Sequence, residues 1–180
     1  KPQVISAGVR ALKDHFDRVG KPAGEVIGLK DRPGFYLTKY SSPKHSEVAI
    51  IYDQTQLDQE VLLSIEQTAI AKKISCISIQ DFNNNNHSNH KYIILISRNM
   101  IPKSPKHLMR LIEALYANQE SILAPLITKD SHIVHPSLVR NGESLHTLFL
   151  GYHKNTTTQF GSVEWIRDVD CLDTAVLAFH

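Results

Sequence analysis

The feature that most constrains the fold is an alternation of short apolar segments with amphipathic ones. Glu47–Tyr52 and Ile74–Ile79 are rich in β-branched residues, and Tyr92–Ile96 (YIILI) is apolar at every position, as in a strand covered on both faces. Residues 57–72 and 105–118 place apolar side chains at spacings of three and four, which predicts helices. Strands that alternate with helices imply right-handed crossovers, so the sequence predicts an α/β fold with a mostly parallel sheet.

We expect Tyr92–Ile96 to be the central strand of this sheet. Its predicted neighbours are Val48–Tyr52 and a further apolar segment, Ser121–Ile127. The Asn-rich segment that begins at Asn83 is too polar for a core, and we predict a mobile loop there. Asp53 and the residues after it are expected to cap the helix over 57–72.

The sequence patterns that predict secondary structure are weaker before and after this predicted α/β unit. Residues 7–19 predict an amphipathic helix, followed by a Gly- and Pro-rich connection that is either a loop or a weak hairpin, and then by a strand at Phe35–Tyr40. We therefore divide the chain into an arm, 1–45, and a main α/β domain, 46–180. Short strands beyond Thr128 predict a mixed or antiparallel C-terminal extension, with segments at 133–134, 145–152, 163–169 and 174–179.

Composition excludes several classes of protein. The chain has 180 residues, enough for one domain with a sizeable core, and its 20 Lys and Arg nearly balance its 18 Asp and Glu. With no basic run, we expect no nucleic-acid partner. The apolar segments are far shorter than the roughly 20 residues that span a bilayer, so we expect no membrane partner.

Two cysteines exclude a disulfide scaffold and favour a cytoplasmic or nuclear location. The abrupt start and end of the sequence indicate a piece of a longer protein.

Polar side chains follow each of the three predicted parallel strands. Asp53 follows the first strand, Asp81 the second, and Ser97, Arg98 and Asn99 the third. In parallel α/β sheets, ligands bind beyond the carboxyl ends of the strands, so these residues are candidates for cofactor or donor binding. A carboxylate can accept from a ribose hydroxyl, and a guanidinium can bind a phosphate through two hydrogen bonds. The alternative is that the aspartates only cap helices and form turns.

The segment KYIILISRNMIPKSPKHLMRLIEALYANQESILAPLI, residues 91–127, resembles the central segment of GT-A glycosyltransferases. In that family a strand ends in an Asp-x-Asp motif, a Pro-containing turn leads into a helix, and the next strand often ends near Ala-Pro. Ala124-Pro125-Leu126 is most similar to the collagen-modifying glycosyltransferases and the accessory domain of lysyl hydroxylases. The later segment VEWIRDVDCLDTAVLAFH resembles the strand that carries acceptor-side residues in the family. The resemblance covers roughly residues 46–180 and implies a GT-A-like, Rossmann-like fold and a nucleotide-sugar donor.

The chain departs from this family at the metal-binding motif. Ser97-Arg98-Asn99 occupies the position of the two carboxylates that hold Mn²⁺ or Mg²⁺ against the donor diphosphate. Hard cations require several oxygen ligands, whereas Asn99 offers one neutral oxygen and Arg98 repels a cation. We therefore expect no metal and no resident cofactor. Arg98 can instead supply the positive charge that stabilises a leaving diphosphate.

A transferase of the inverting type also needs a carboxylate that takes the proton from the acceptor hydroxyl. Asp170 and Asp173 are the candidate catalytic residues, and Asp168 lies in the same run. On a strand, Asp168 and Asp170 share one face and Asp173 lies on the other. The alternative is a set of surface carboxylates at a strand end.

Five histidines beyond residue 130 raise the question of a separate metal site. The closest spacing is HIVH, His132 and His135, which suits a helix better than the strand predicted there. The other three histidines of this group are His146, His153 and His180. The simpler interpretation is that all five are separate histidines that lie at the surface or form hydrogen bonds.

Two functions from different classes follow from these observations. One is a glycosyltransferase, metal-independent or weakly active, that uses a nucleotide sugar and a protein acceptor. The other is a degenerate, non-catalytic GT-A-like domain that acts as a scaffold or protein-interaction domain beside other domains of a larger protein, such as a nuclear regulatory protein. Ser97-Arg98-Asn99 favours the second. A third alternative is a flavodoxin- or TIR-like interaction domain, because YIILIS, a helix and ILAPLI also suit those folds.

Overall fold

The computed structural model describes residues 2–21, 23–30, 34–84, 89–100, 104–135, 138–158, 161–162, 169–170, 172 and 174–180. The α-helices within these residues are α1 (Pro2–Arg18), α2 (Gln59–Lys72), α3 (Ile79–Asn84) and α4 (Pro105–Ala117). The strands are β1 (Ala23–Gly28), β2 (Tyr36–Tyr40), β3 (Val48–Tyr52), β4 (Ser75–Ser78), β5 (Tyr92–Ile96), β6 (Ile127–Lys129), β7 (His132–His135), β8 (Leu138–Asn141), β9 (Ser144–Thr147), β10 (Thr157–Thr158), β11 (Gly161–Ser162) and β12 (Val176–Phe179). The protein is thus a mixed α/β protein.

A four-stranded sheet with the order β12-β5-β3-β4 forms the centre of the molecule. β3 pairs with β4 and β5 in parallel, as the strand–helix alternation predicts, whereas β12 runs antiparallel to β5. The central position of β5 is confirmed. The prediction that Ser121–Ile127 lies next to β5 is wrong, because β12 occupies that place. Leu123 of that segment forms one antiparallel bridge to Ala178 of β12.

The hydrophobic core lies between one face of this sheet and the helices α2 and α4. Alternate residues of β5 are buried on this face, and Ile93 and Leu95 on the other face are half-buried. β5 is therefore less covered on its second face than its uninterrupted apolar sequence predicts. The predicted stripes of α2 and α4 do face the core; their fully buried members include Ile65, Ile112 and Leu115.

Two local predictions differ from the structure. α2 is preceded by Asp58 as its N-cap residue, so the helix begins later than a cap at Asp53 implies. Residues 79–84 form α3, where we predicted a loop at Asn83 and Asn84; the remainder of the Asn tract, 85–88, lies outside the described residues. Helix α3 forms because Ser78 caps it: the Ser78 Oγ accepts from the Asp81 N–H at 3.1 Å.

The N-terminal arm forms a packed unit. β1 and β2 form an antiparallel hairpin, which confirms the hairpin interpretation of the connection, and α1 packs against it. Gly8 permits this close packing of α1 on the hairpin, because a Cβ atom at this position would overlap the Tyr36 ring and its hydroxyl. β2 also packs against α4, and Lys21 Nζ donates to Asn118 Oδ1 at 2.8 Å. The arm is therefore joined to the α/β core.

The predicted C-terminal extension consists of antiparallel hairpins. β6 pairs with β7, β8 with β9 and β10 with β11. The predicted strand at 163–169 falls outside the described residues except for its last residue. The predicted strand at 174–179 is found as β12, but it belongs to the central sheet and not to the extension. None of the described helices is long and apolar enough to span a bilayer.

Candidate functional site

The carboxyl ends of β3, β4 and β5 meet at one edge of the central sheet, because these three strands are parallel. The Asp53 N–H donates to the Ile96 carbonyl at 3.3 Å, so the residues that follow β3 and β5 are adjacent. The structure therefore brings Asp53 together with the Ser97-Arg98-Asn99 turn. Asp81 follows β4, on the other side of β3. We call these residues, together with Asp58, the strand-end site.

Asn99 and Asp58 are bonded to each other at this edge. Asn99 Oδ1 accepts from the Asp58 backbone N–H at 2.7 Å, and Asn99 Nδ2 donates to Asp58 Oδ2 at 2.8 Å. These bonds join the end of β5 to the N-terminus of α2. The oxygen of Asn99 that was considered as a metal ligand is thus engaged by a backbone N–H.

Sequence reasoning missed Asp58. The signal was present, because an aspartate directly before a helical segment is a preferred N-cap residue. Our assignment of the cap to Asp53 left Asp58 inside the predicted helix. No sequence pattern indicated that Asn99, 41 residues away, would be its partner.

Asp53 and Ser97 hold the turns on which they lie. Asp53 Oδ1 accepts from the backbone N–H of Thr55 at 3.0 Å and from its hydroxyl at 2.7 Å, which closes an Asx-type turn. The Ser97 hydroxyl donates to the Thr174 carbonyl at 2.6 Å, and the Ser97 N–H donates to the Ala175 carbonyl at 3.0 Å. Both residues therefore organise the backbone around the strand ends.

Asp81 lies in the first turn of the short helix α3 and is bonded to Ser78, which caps that helix. Asp81 Oδ2 accepts from the Ser78 hydroxyl at 2.7 Å, and this hydroxyl in turn accepts the Asp81 N–H. The pair is a side-chain capping arrangement of the Ser-x-x-Asp type. The contacts of Asp53 and Asp81 therefore agree with the alternative that these aspartates serve turns and helix caps rather than a ligand.

Arg98 differs from its neighbours. Its side chain is exposed, and it forms no hydrogen bond or ion pair with a residue that the structure describes. A guanidinium in this state can bind an anion from solution without first losing a protein partner. Arg98 is thus the cation that the strand-end site offers to a ligand.

The candidate catalytic carboxylates lie elsewhere or outside the described residues. Asp170 Oδ2 accepts from the Arg140 backbone N–H at 2.6 Å, and the Asp170 N–H donates to the Leu138 carbonyl at 3.1 Å. Both contacts are to β8, and no contact described for Asp170 reaches the strand-end site. Asp173 and Asp168 lie outside the described residues.

Two ionisable groups lie inside the sheet beside this edge. Burial raises the pKa of the Tyr52 hydroxyl, with smaller contributions from Cys76 and Glu66. Burial, reinforced by Glu66, also raises the pKa of the Cys76 thiol to about 11. A thiol of this kind stays protonated at neutral pH, so Cys76 is not an activated nucleophile.

The structure shows no metal-binding cluster among the residues it describes: no group of three or more His, Cys, Asp or Glu side chains is arranged around a common point. His132 and His153 do approach each other, with ring centroids 5.6 Å apart. His132 Nδ1 is 2.9 Å from the Asp130 carbonyl, and His153 Nδ1 accepts from the Asn155 N–H at 3.2 Å. These two histidines are hydrogen-bonded within their own turns, as the simpler interpretation predicts.

A cavity of about 680 Å³ lies at the opposite, amino edge of the sheet. Its walls come from the segment before β3, the start of β5, the end of α4 and His180, which follows β12. Sequence reasoning missed this cavity, because its lining residues are dispersed along the chain and share no motif.

Protein-family models, curated proteins and solved structures offer no significant match to this chain.

Proposed function

We propose that this chain is a non-catalytic, glycosyltransferase-like domain that serves as a scaffold or interaction domain. The observation that carries the proposal is the bonding of Asn99 to Asp58. At the position where the resemblance requires two carboxylates to hold a metal, the side chains instead join β5 to α2.

The other candidate residues support the same conclusion. Asp53 closes a turn, Asp81 is bonded to the cap residue of α3, and Asp170 is held by the backbone of β8. A general base must reach the proton that it abstracts, at a heavy-atom distance of about 2.6–3.2 Å or through one water. The described contacts of Asp170 bind it to a hairpin and bring it to no candidate acceptor site.

A metal-independent transferase that uses a nucleotide sugar is the second candidate function, and Arg98 favours it. The exposed guanidinium follows β5 and has no partner among the described residues. Such a group can neutralise part of the charge of a nucleotide diphosphate. The two functions therefore differ in whether a donor binds and reacts at the strand-end site.

Nucleotide-sugar titration separates the two candidates. We would measure the binding of UDP- and GDP-sugars by calorimetry and thermal shift, with and without Mn²⁺, and nucleotide release over time. The scaffold proposal predicts no binding at millimolar donor and no release. Release of nucleotide from a donor that binds with measurable affinity would overturn the scaffold proposal in favour of the transferase.

Arg98→Ala tests the source of any affinity. If a diphosphate binds through Arg98, this variant should weaken binding by roughly tenfold to a hundredfold, the range of a charge-assisted hydrogen-bonded pair. Arg110→Ala, which removes another exposed arginine on α4, is the matched control. Equal losses in both variants would identify non-specific charge attraction and leave the scaffold proposal in place.

A further inference from the structure

The cavity at the amino edge of the sheet has the dimensions of a small-molecule site. Its volume of about 680 Å³ lies within the usual range for such sites, roughly 300–1,000 Å³. Ser42 fixes one wall to α4, since its hydroxyl donates to Glu113 Oε1 at 2.9 Å. The backbone N–H of Lys91 donates to the Glu47 carbonyl at 2.9 Å and fixes the adjoining wall to β5. The cavity is thus bounded by elements that are bonded to one another.

Three aromatic rings meet in this cavity. Tyr92, which is 3% exposed, has its ring centroid 5.7 Å from that of Tyr116 at an interplanar angle of 79°. The His180 ring lies 5.1 Å from Tyr92 at 51°. Edges and faces of aromatic rings at these separations attract a further planar ring. The cavity therefore suits an aromatic ligand better than an aliphatic one.

The Tyr92 hydroxyl supplies a hydrogen-bond donor at the cavity wall. Gln119 Nε2 donates to this hydroxyl at 3.2 Å, and no acceptor for its own hydrogen is found among the described residues. Burial raises the pKa of Tyr92, so the group keeps its proton at neutral pH. Because Tyr92 lines the cavity, an acceptor oxygen on a ligand can take this hydrogen in place of solvent.

The charged residues that line the cavity are Lys44, Lys91 and Glu47, and the Glu113 carboxylate lies next to them on the Ser42 hydroxyl. Lys91 Nζ and Glu47 Oε1 are 3.2 Å apart and offset each other. Lys44 also lines the cavity and forms no ion pair with a described residue. Lys44 is therefore the group of this rim that can attract an anionic ligand.

We propose that this cavity binds a planar aromatic monocarboxylate, whose ring contacts Tyr116 and His180. Its carboxylate accepts from the Tyr92 hydroxyl and attracts the Lys44 ammonium. This inference is independent of the proposed function, since the cavity and the strand-end site lie at opposite edges of the sheet.

Three probes separate the contributions of the ring and the charge. Saturation-transfer NMR and titration would compare 2-naphthoate with 2-naphthamide, which lacks the charge, and with cyclohexanecarboxylate, which lacks the aromatic ring. We expect 2-naphthoate to bind most tightly and to show the strongest transfer at its ring protons. Equal affinities for all three probes, or no binding of 2-naphthoate at millimolar concentration, would overturn the proposal.

Variants locate the binding. Tyr116→Leu should raise the Kd for 2-naphthoate about three- to tenfold, whereas Tyr116→Phe, which keeps the ring, should leave it unchanged. Lys44→Gln should raise the Kd about two- to fivefold, as expected for an exposed charge pair. Lys129→Gln, an exposed lysine on β6, and Arg98→Ala at the strand-end site are controls that should have no effect. A loss of affinity in the controls as large as in Lys44→Gln would contradict the assignment to this cavity.

Discussion

Replacing Asn99 with alanine removes both hydrogen bonds that join β5 to the N-terminus of α2. Asn99 Oδ1 and Nδ2 bond to the backbone and carboxylate of Asp58 at 2.7 and 2.8 Å. Each such bond contributes about 0.5–1.5 kcal/mol, and both partners are exposed, so water replaces part of the loss. The two bonds sum to about 1–3 kcal/mol, and because water replaces part of this we expect Asn99→Ala to lower the free energy of unfolding by about 1–2 kcal/mol. For a chain of this length that corresponds to a melting temperature lower by about 2–8 °C.

The neighbouring Arg98→Ala variant is the matched control for stability. Arg98 is exposed and has no bonded partner among the described residues, so its loss should change the free energy of unfolding by less than about 0.5 kcal/mol. Chemical denaturation of both variants, together with Asp58→Ala and the double variant, gives the coupling energy between Asn99 and Asp58. A melting temperature of Asn99→Ala within 1 °C of wild type, or a coupling energy near zero, would refute the structural role of this pair.

Asn99→Asp adds a pH test of the same contact. The new carboxyl faces that of Asp58, so the two cannot both ionise without repulsion and the pKa of the pair is raised in the folded state. The stabilising shared proton is present below the unfolded pKa of about 3.9 and is lost as pH rises through the raised folded value. Relative to Asn99→Ala, this variant should therefore be more stable at pH 4 than at pH 8. A pH-independent difference between the two variants would contradict the contact.

Two further predictions concern the interior of the sheet and its helical cover. In a Cys171→Ser background, alkylation of Cys76 at pH 8 should be about a hundredfold slower in the folded than in the denatured protein, because the folded pKa of about 11 compares with 9.0 for an ordinary thiol. Equal alkylation rates in the folded and denatured protein would contradict this prediction. The free energy of unfolding should also fall as pH rises from 9.0 to about 11, because the folded state keeps the Cys76 proton to a higher pH than the unfolded state does. Ile65→Ala should lower the free energy of unfolding by about 2–5 kcal/mol in urea denaturation, because its side chain is fully buried in the core. Ile70→Ala, on the same helix but 77% exposed, should change it by less than about 0.5 kcal/mol, and similar losses in the two variants would show that α2 does not pack as described.

The local pattern of the sequence predicted the elements of the α/β core. β3, β5, α2 and α4 lie close to their predicted positions, because apolar spacing reports directly which side chains a strand or helix buries. The place of β12 beside β5 was not predictable in the same way. Strand order depends on pairings between distant segments, and Val176–Phe179 has no feature that distinguishes a central neighbour of β5 from a strand of a separate extension.

The adjacency of the residues at the strand ends was predicted, but their contacts were not. The rule that parallel strands present their carboxyl ends at one edge correctly grouped Asp53 with the Ser97-Arg98-Asn99 turn. Whether a polar side chain at this edge is free to bind a ligand depends on whether it forms hydrogen bonds within the protein, and these bonds require a particular tertiary geometry. Composition and spacing do not carry that information, so the bonding of Asn99 to Asp58 emerged only from the structure.

The antiparallel pairing of β12 with β5 also bears on how the chain folds during synthesis. β5 emerges from the ribosome about 80 residues before β12, and translation at roughly 5–20 residues per second separates them by about 4–16 s. Throughout that interval one edge of β5 has unpaired backbone groups beside an apolar surface, the kind of edge to which other nascent chains add. A chaperone that binds apolar extended segments would therefore find its target in Tyr92–Ile96, and its release would coincide with the arrival of β12.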